Sequence, residues 1–170
     1  MNETLALIEQ IIAEHKTVFK DLTNIDQVAS DVQAINALED ASDTFMPGRH
    51  HQKEDLEKMK VLLEGMEVGL NKHFEREETG LLEAFRQYGD QAMVAGLTML
   101  LEEHGVLKER LGEARGMIVK LQNGSLGGHQ WAATAGDLRA YMGQTRRHLE
   151  AHAASEQHLL SSLRKILQAT

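Results

Sequence analysis

The sequence contains no cysteine among its 170 residues, which excludes thiolate nucleophiles, iron–sulfur clusters, cysteine-based zinc sites and disulfides from this chain. It is also poor in proline and aromatic residues, with one Pro, one Trp, two Tyr and four Phe. Ala, Leu, Glu, Lys and Gln are abundant instead. This composition favours helices over strands.

Long apolar runs and basic clusters are missing as well. No run of about 18 apolar residues appears, and the first residues lack the basic and apolar segments of a signal peptide. We therefore expect no membrane partner and a cytoplasmic location. The 18 Lys and Arg are outnumbered by 26 Asp and Glu, which gives a net charge of -8. Because binding to a phosphate backbone needs a basic surface, we expect no nucleic-acid partner.

Helical periodicity is the main structural signal of the sequence. Its length predicts a single domain over residues 1–170, large enough to fold without a metal. Apolar residues recur every three or four positions in four long stretches, which turn-forming residues separate near 39–48, 88–90 and 123–129. The first stretch is one long helix or two abutting helices. The pattern predicts an all-α fold, an antiparallel up-down-up-down four-helix bundle.

The apolar stripes define the predicted core. The first comprises Leu5, Ile8, Ile12, Phe19, Leu22, Ile25, Val28, Val32 and Ile35. The second comprises Leu56, Met59, Leu63, Met66, Leu70 and Leu81. The third comprises Met93, Leu97, Leu100, Leu107, Leu111, Ala114, Ile118 and Leu121. The fourth comprises Trp131, Ala135, Leu138, Met142, Thr145, Leu149, Leu159, Leu163 and Ile166.

Polar residues interrupt these stripes in a repeated pattern. The pattern H-x-x-x-E occurs as His73 with Glu77 and again as His152 with Glu156. Residues four apart lie on one face of a helix, about 6 Å apart along its axis. Each pair can therefore reach one metal ion or two adjacent ions.

The other two stripes each contain one histidine, His15 and His104. Counting from the predicted turns places the four stripe histidines at one height of the bundle, and an error of three residues shifts a position by only about 5 Å. Buried imidazoles and carboxylates without partners are costly, and bound cations would remove that cost. The candidate metal ligands are His15, His73, Glu77, His104, His152 and Glu156.

These residues resemble the hemerythrin-like, or HHE cation-binding, domains over nearly the whole chain. That family consists of four-helix bundles with a non-heme di-iron centre, a His on helices one and three, and H-x-x-x-E on helices two and four. The resemblance implies that the six candidates bind two iron ions and that Glu77 and Glu156 bridge them. It also implies a small diatomic ligand, oxygen or nitric oxide. Manganese or zinc would suit the same donors.

The sequence departs from oxygen-carrying hemerythrins after two of the histidines. Those proteins have H-x-x-x-H on helix three and an Asp five residues after the helix-four His. This chain instead has Lys108 four residues after His104 and Gln157 five residues after His152. The site resembles the four-His, two-Glu branch, which is linked to nitric oxide stress and repair of iron centres but usually carries an N-terminal segment with Cys. A ferritin-like site needs E-x-x-H, and no His here has a Glu three positions before it.

Two functional hypotheses remain open from the sequence. The first is a di-iron protein that binds oxygen or nitric oxide in storage, sensing or stress protection. The second is a di-iron enzyme that acts on nitric oxide, oxygen or peroxide, or an iron-centre repair protein. A metal-free interaction bundle is the third and least supported alternative, and the sequence carries no signal for a particular protein partner.

Several polar residues lie close to the stripes without belonging to the candidate set. His148 lies one turn before His152 and stays open as an additional ligand. The remaining histidines are expected at the surface: His50, His51, His129 and His158. The glutamates that flank candidate ligands are also expected to point into solvent: Glu14, Glu78, Glu102 and Glu103.

Overall fold

The computed structural model describes the backbone of residues 2–41 and 49–169 and the side chains of residues 2–30 and 53–169. Within these ranges every regular element is helical. The elements are α1 (Asn2–Ala41), α2 (Arg49–Arg76), a π-helical segment (Glu77–Leu81), α3 (Leu82–Tyr88), α4 (Gln91–Gln122) and α5 (Gly128–Ala169). Since α2, the π-helical segment and α3 follow one another without a gap, the described residues form four helical runs, as predicted.

The four runs surround a common interior. Helix α1 packs against α2 and α5, and α4 packs against the same two helices. The π-helical segment contacts α1 and α2, while α3 contacts α4 and α5. Each of the four long helices therefore packs against two others, and α3 adds a contact between the second run and α5. Side chains from all four runs can meet in the middle.

In the part of the chain that the structure describes, the buried apolar side chains form two clusters. The larger cluster includes Leu22, Leu63, Leu111 and Leu138, and the smaller one includes Ile8, Leu81, Leu97 and Leu163. The six candidate ligands lie between the clusters; for example, His104 lies between Leu97 and Leu107 on α4. We call this set, His15, His73, Glu77, His104, His152 and Glu156, the polar layer.

The observed core departs from the predicted stripes where two apolar residues are adjacent in sequence. Buried in place of Ile12, Val28, Leu159 and Ile166 are their neighbours Ile11, Ala29, Leu160 and Leu167. Steps of three and four fit both members of such a pair, so spacing alone does not select one. The stripe of α2 is confirmed throughout, including Met59 and Met66. Val32 and Ile35 fall outside the described side chains.

The turns predicted near 88–90 and 123–129 match the helix ends to within two residues, since α5 already begins at Gly128, but the middle of one run differs from its prediction. The Asp90 carboxylate, in the turn predicted near 88–90, accepts a hydrogen bond from the backbone N–H of Met93 at 2.8 Å and caps α4. Of the turn predicted at 39–48, residues 42–48 lie outside the described part. The apolar spacing predicts an uninterrupted α-helix up to Tyr88, and this prediction is wrong over the π-helical segment Glu77–Leu81. Glu77 and Leu81 are four residues apart, and this spacing fits one turn of an α-helix and one turn of a π-helix equally well. The spacing therefore could not distinguish the two.

Candidate metal centre

The structure brings all six members of the polar layer together. Each is buried, and the most exposed, His15, retains 8% of its accessible surface. The ring centroids of His15 and His73 are 4.7 Å apart, and those of His104 and His152 are 5.1 Å apart. The equal heights counted from the predicted turns agree with these contacts.

Within the described residues, the layer divides into two overlapping donor groups. The first donor group consists of His15, His73, Glu77 and Glu156, and the second consists of Glu77, His104 and His152. In each group the potential ligand atoms lie within 4.8 Å of one another. Glu77 belongs to both groups, so its carboxylate lies where two metal ions could share it.

The two oxygens of Glu77 face different histidines. Oε1 lies 2.6 Å from Nε2 of His73, whereas Oε2 lies 3.1 Å from Nε2 of His104. Oε2 of Glu156 lies 3.1 Å from Nε2 of His15. Glu77 thus has the geometry expected of a bridge, while Glu156 lies with the first donor group.

Buried atoms without hydrogen-bond partners show that the layer fits a metal. Several of these atoms lie close to one another, but they make no hydrogen bond of acceptable geometry; among them are Nε2 of His15, His104 and His152 and both carboxylate oxygens of Glu77 and Glu156. A buried polar atom without a partner is destabilising, and coordination of cations by these nitrogen and oxygen atoms would satisfy all of them. The donor set therefore suits a transition-metal ion.

Burial and mutual charge act against each other in this layer. Burial opposes protonation of His15, but Glu156 and Glu77 outweigh it and raise the pKa of His15 to about 9. Burial and the charge of Glu77 raise the pKa of Glu156, although His15 opposes them. Burial also disfavours ionised Glu77, but the surrounding histidines hold its pKa well below the usual range. Burial lowers the pKa of His152, against the effect of Glu103. Protons on imidazoles thus offset carboxylate charge, a role that bound cations would take over.

Comparison with protein families matches residues 6–161 to the hemerythrin HHE cation-binding domain. The chain belongs to this family. All members of the polar layer lie within the matched residues of this HHE domain. Comparisons with curated proteins and with solved structures give no significant match. In the described residues 2–41 and 49–169 of the chain, no helix has an apolar stretch long enough to cross a bilayer.

Three glutamates of the HHE domain hydrogen-bond to histidines of the polar layer. The Nδ1 atoms of His73, His104 and His152 lie 2.8, 2.9 and 3.0 Å from carboxylate oxygens of Glu14, Glu78 and Glu103, respectively. The prediction that these glutamates only point into solvent is wrong: they stay 23–41% exposed, but their side chains also reach the neighbouring helix from positions beside the stripe. Each is adjacent in sequence to a candidate ligand, which was the available signal. Glu102 is exposed, as predicted.

The other histidines of the HHE domain lie outside both donor groups among the described side chains. Nε2 of His148 is 3.8 Å from the Glu103 carboxylate, and the His148 side chain is 34% exposed. His129 and His158 are exposed, as predicted. The predictions for His50 and His51 concern side chains outside the described part.

A small cavity lies beside the polar layer of the HHE domain. His15, His73 and His152 line it together with apolar residues, which are Val18, Phe19, Leu70, Phe74, Leu149 and Ala153. It leaves about 10 Å³ for the centre of a water-sized molecule, room for roughly one such molecule. Phe74 was missed by the stripe analysis because His73 takes the stripe position. It is buried and stacks on His104 with the ring centroids 3.8 Å apart.

Proposed function

We propose that this chain is a single domain over residues 1–170 that holds a non-heme di-iron centre and binds oxygen or nitric oxide in storage, sensing or stress protection. The position of Glu77 between two groups of buried imidazoles carries the proposal. The antiparallel up-down-up-down order is part of it, supported by the short connections at residues 89–90 and 123–127.

Each donor group would hold one ion. The first would use His15, His73, Glu156 and one oxygen of Glu77, and the second would use His104, His152 and the other oxygen of Glu77. Manganese and zinc suit these donors too, and iron is proposed because the chain belongs to the hemerythrin HHE family. Since six side chains do not fill the coordination of two six-coordinate ions, bound iron would supply open positions for a diatomic ligand.

The cavity beside the polar layer supports a diatomic ligand over an organic substrate. Its walls are apolar apart from the histidines, and it has room for roughly one water-sized molecule. Oxygen and nitric oxide are small and weakly polar, so they match both its size and its walls. Half-buried Val18 and Phe19 line the cavity and give it a boundary close to solvent.

Elemental analysis after anaerobic loading with iron tests the proposal. We expect about two iron ions per chain, with weaker retention of manganese and zinc supplied in parallel. His104→Ala removes a donor of the second group and should lower the iron content sharply, whereas the exposed His129→Ala should leave it unchanged. A wild-type chain that binds no metal, or equal losses from both variants, would contradict the proposed centre.

The rival function, a di-iron enzyme or repair protein, is tested with the same loaded protein. Stoichiometric binding of oxygen or nitric oxide without sustained consumption supports the binding protein. Continuous consumption of nitric oxide, oxygen or peroxide under steady-state conditions would assign the site to the enzyme class instead. Transfer of iron to a damaged acceptor centre would favour the repair role.

A further inference from the structure

The three glutamates that hydrogen-bond to the polar layer share one rule of placement. Each is the sequence neighbour of a candidate ligand and reaches the histidine of the next helical run. Glu14 reaches from α1 to α2, Glu78 from the π-helical segment to α4, and Glu103 from α4 to α5. The same arrangement is therefore made at successive interfaces around the bundle.

Each of these glutamates also faces a basic group toward the surface. The pairs are Glu14 with Arg76 at 2.5 Å, Glu78 with Lys108 at 3.7 Å and Glu103 with His148 at 3.8 Å. The three carboxylates are 23%, 41% and 41% exposed, respectively, so each lies between a buried imidazole and the surface. An ionised carboxylate only accepts hydrogen bonds, so each imidazole must donate from Nδ1. This tautomer leaves the Nε2 lone pair directed at the donor groups.

We propose that Glu14, Glu78 and Glu103 are positioning residues of the metal centre, which orient three imidazoles and increase the negative charge that these imidazoles present to the ions. The inference rests on the proposed function, because it concerns how the same centre is held. A carboxylate that accepts the Nδ1–H of a ligating histidine fixes the ring and makes Nε2 a stronger donor.

The hydrogen bonds are distributed unevenly between the two donor groups. Both imidazoles of the second group have a glutamate partner. In the first group His73 has one, whereas no carboxylate among the described side chains reaches Nδ1 of His15. The first group contains the carboxylate of Glu156, which the second lacks. Glu78 and Glu103 thus supply through imidazoles the negative charge that Glu156 supplies directly to the first donor group. We therefore infer that binding of an ion by the second group depends on Glu78 and Glu103 more than binding by the first group depends on Glu14.

Variants of the full-length, iron-loaded chain separate orientation from charge. The Ala series consists of E14A, E78A, E103A and E78A/E103A, and the Gln series carries Gln at the same positions. Glu102→Ala and Glu102→Gln are matched controls, since this exposed neighbour of Glu103 lies on the same helix. The measurements are iron content, iron affinity by chelator competition, the midpoint potential and far-ultraviolet circular dichroism.

We expect E78A/E103A to lower the affinity for one of the two ions by about tenfold to a hundredfold while the other ion stays bound. E14A should have a smaller effect. The amide oxygen of Gln still accepts the Nδ1–H, so E78Q/E103Q should retain both ions. Loss of negative charge favours the reduced ions, so the midpoint potential of E78Q/E103Q should be more positive than that of the wild type. A purely structural role would not move the potential of a fully loaded protein.

Two results would overturn the inference: Ala variants that hold iron as the Glu102 controls do, or Gln variants with an unchanged potential. If the Ala variants lose helix content, the Gln series still decides through the potential. A wild-type chain that binds no iron would contradict the proposed function itself. Iron-binding wild type with unaffected variants would contradict only the positioning role.

Discussion

At the scale of single residues, Glu77 and Glu156 differ although their sequence patterns are the same. Both follow a histidine by four positions, and both are almost completely buried. The Glu77 oxygens face histidines of both donor groups, whereas Glu156 lies with His15 and His73. The π-helical turn that starts at Glu77 has no counterpart at Glu156, which lies within α5. The two carboxylates therefore contribute unequally to the proposed centre.

Replacement of these carboxylates by Gln should separate their contributions. We expect Glu77→Gln to impair binding of both ions, because the neutral amide cannot offset the charge of two cations. Glu156→Gln should weaken the binding of mainly one ion. Near-ultraviolet charge-transfer bands and iron content measure both effects, with exposed Glu102→Gln as the control. Two retained irons and unchanged spectra in both variants would exclude bridging carboxylates.

The cavity gives a prediction for the diatomic ligand. Ala153 lines it, whereas the adjacent Ala154 is exposed. Ala153→Leu should fill the cavity and weaken binding of nitric oxide at least tenfold while iron content is retained, with a stability cost of about 1–3 kcal/mol from overpacking. Nitric oxide titration followed by absorbance is the measurement, and Ala154→Leu should behave as wild type. Equal affinities for all three proteins would place the ligand elsewhere.

Some residue roles follow from the sequence and others do not, for a geometric reason. The burial of the polar layer follows from stripe positions, because a helix fixes the direction of each Cβ. The contacts of Glu78 and Glu103 depend on how far a flexible side chain reaches across to a neighbouring helix. That distance depends on packing, which a single-helix pattern does not contain.

At the scale of secondary structure, the π-helical segment determines how one run meets α4. His104 lies between two consecutive residues of this segment, with Oε2 of Glu77 3.1 Å from Nε2 and Oε1 of Glu78 2.9 Å from Nδ1. A π-helix turns less per residue than an α-helix, so consecutive side chains diverge less. The segment also approaches α1 closely, since a Cβ on Gly80 would lie 3.1 Å from Cδ2 of Leu7.

Deletion of Thr79 should convert the π-helical segment to a regular α-helical turn. We expect the variant to keep its helix content but to bind less iron, because Glu77 and Glu78 would no longer flank His104 together. Thr79→Ala preserves the chain length and should bind iron normally. Circular dichroism and elemental analysis distinguish the two variants. Normal iron loading of the deletion variant would show that the wider turn is unnecessary.

The helices could be predicted from the sequence, whereas the π-helical segment could not. Long helices follow from strong helix formers, regular apolar spacing and the Asp90 cap. The segment adds a residue to one turn without disturbing the step of four from Glu77 to Leu81. Its formation depends on contacts with neighbouring helices, which local propensity does not describe.

At the scale of the whole molecule, the polar layer lies between two apolar clusters that contain none of the candidate ligands. We therefore expect chelation of the iron to leave the helix content intact and to lower Tm. A ligand present at a hundred times its Kd contributes about 2.7 kcal/mol, which corresponds to roughly 5–10 °C for a chain of this length. Calorimetry with and without chelator measures the shift, and His104→Ala should show a much smaller one. Complete loss of helix on chelation would contradict an independently folding bundle.

The division of the core also affects how an ion could reach a buried site. Among the described residues, the smaller cluster contains half as many buried residues as the larger and includes the first turns of α1 and the last turns of α5. Local unfolding requires less free energy where fewer apolar contacts are lost. Without ions to link the halves across the polar layer, amides at this end should exchange hydrogen faster than those of the larger cluster, and loading should slow them selectively. Partial opening of this end would then expose the donor atoms to incoming ions while the larger cluster keeps the helices in register.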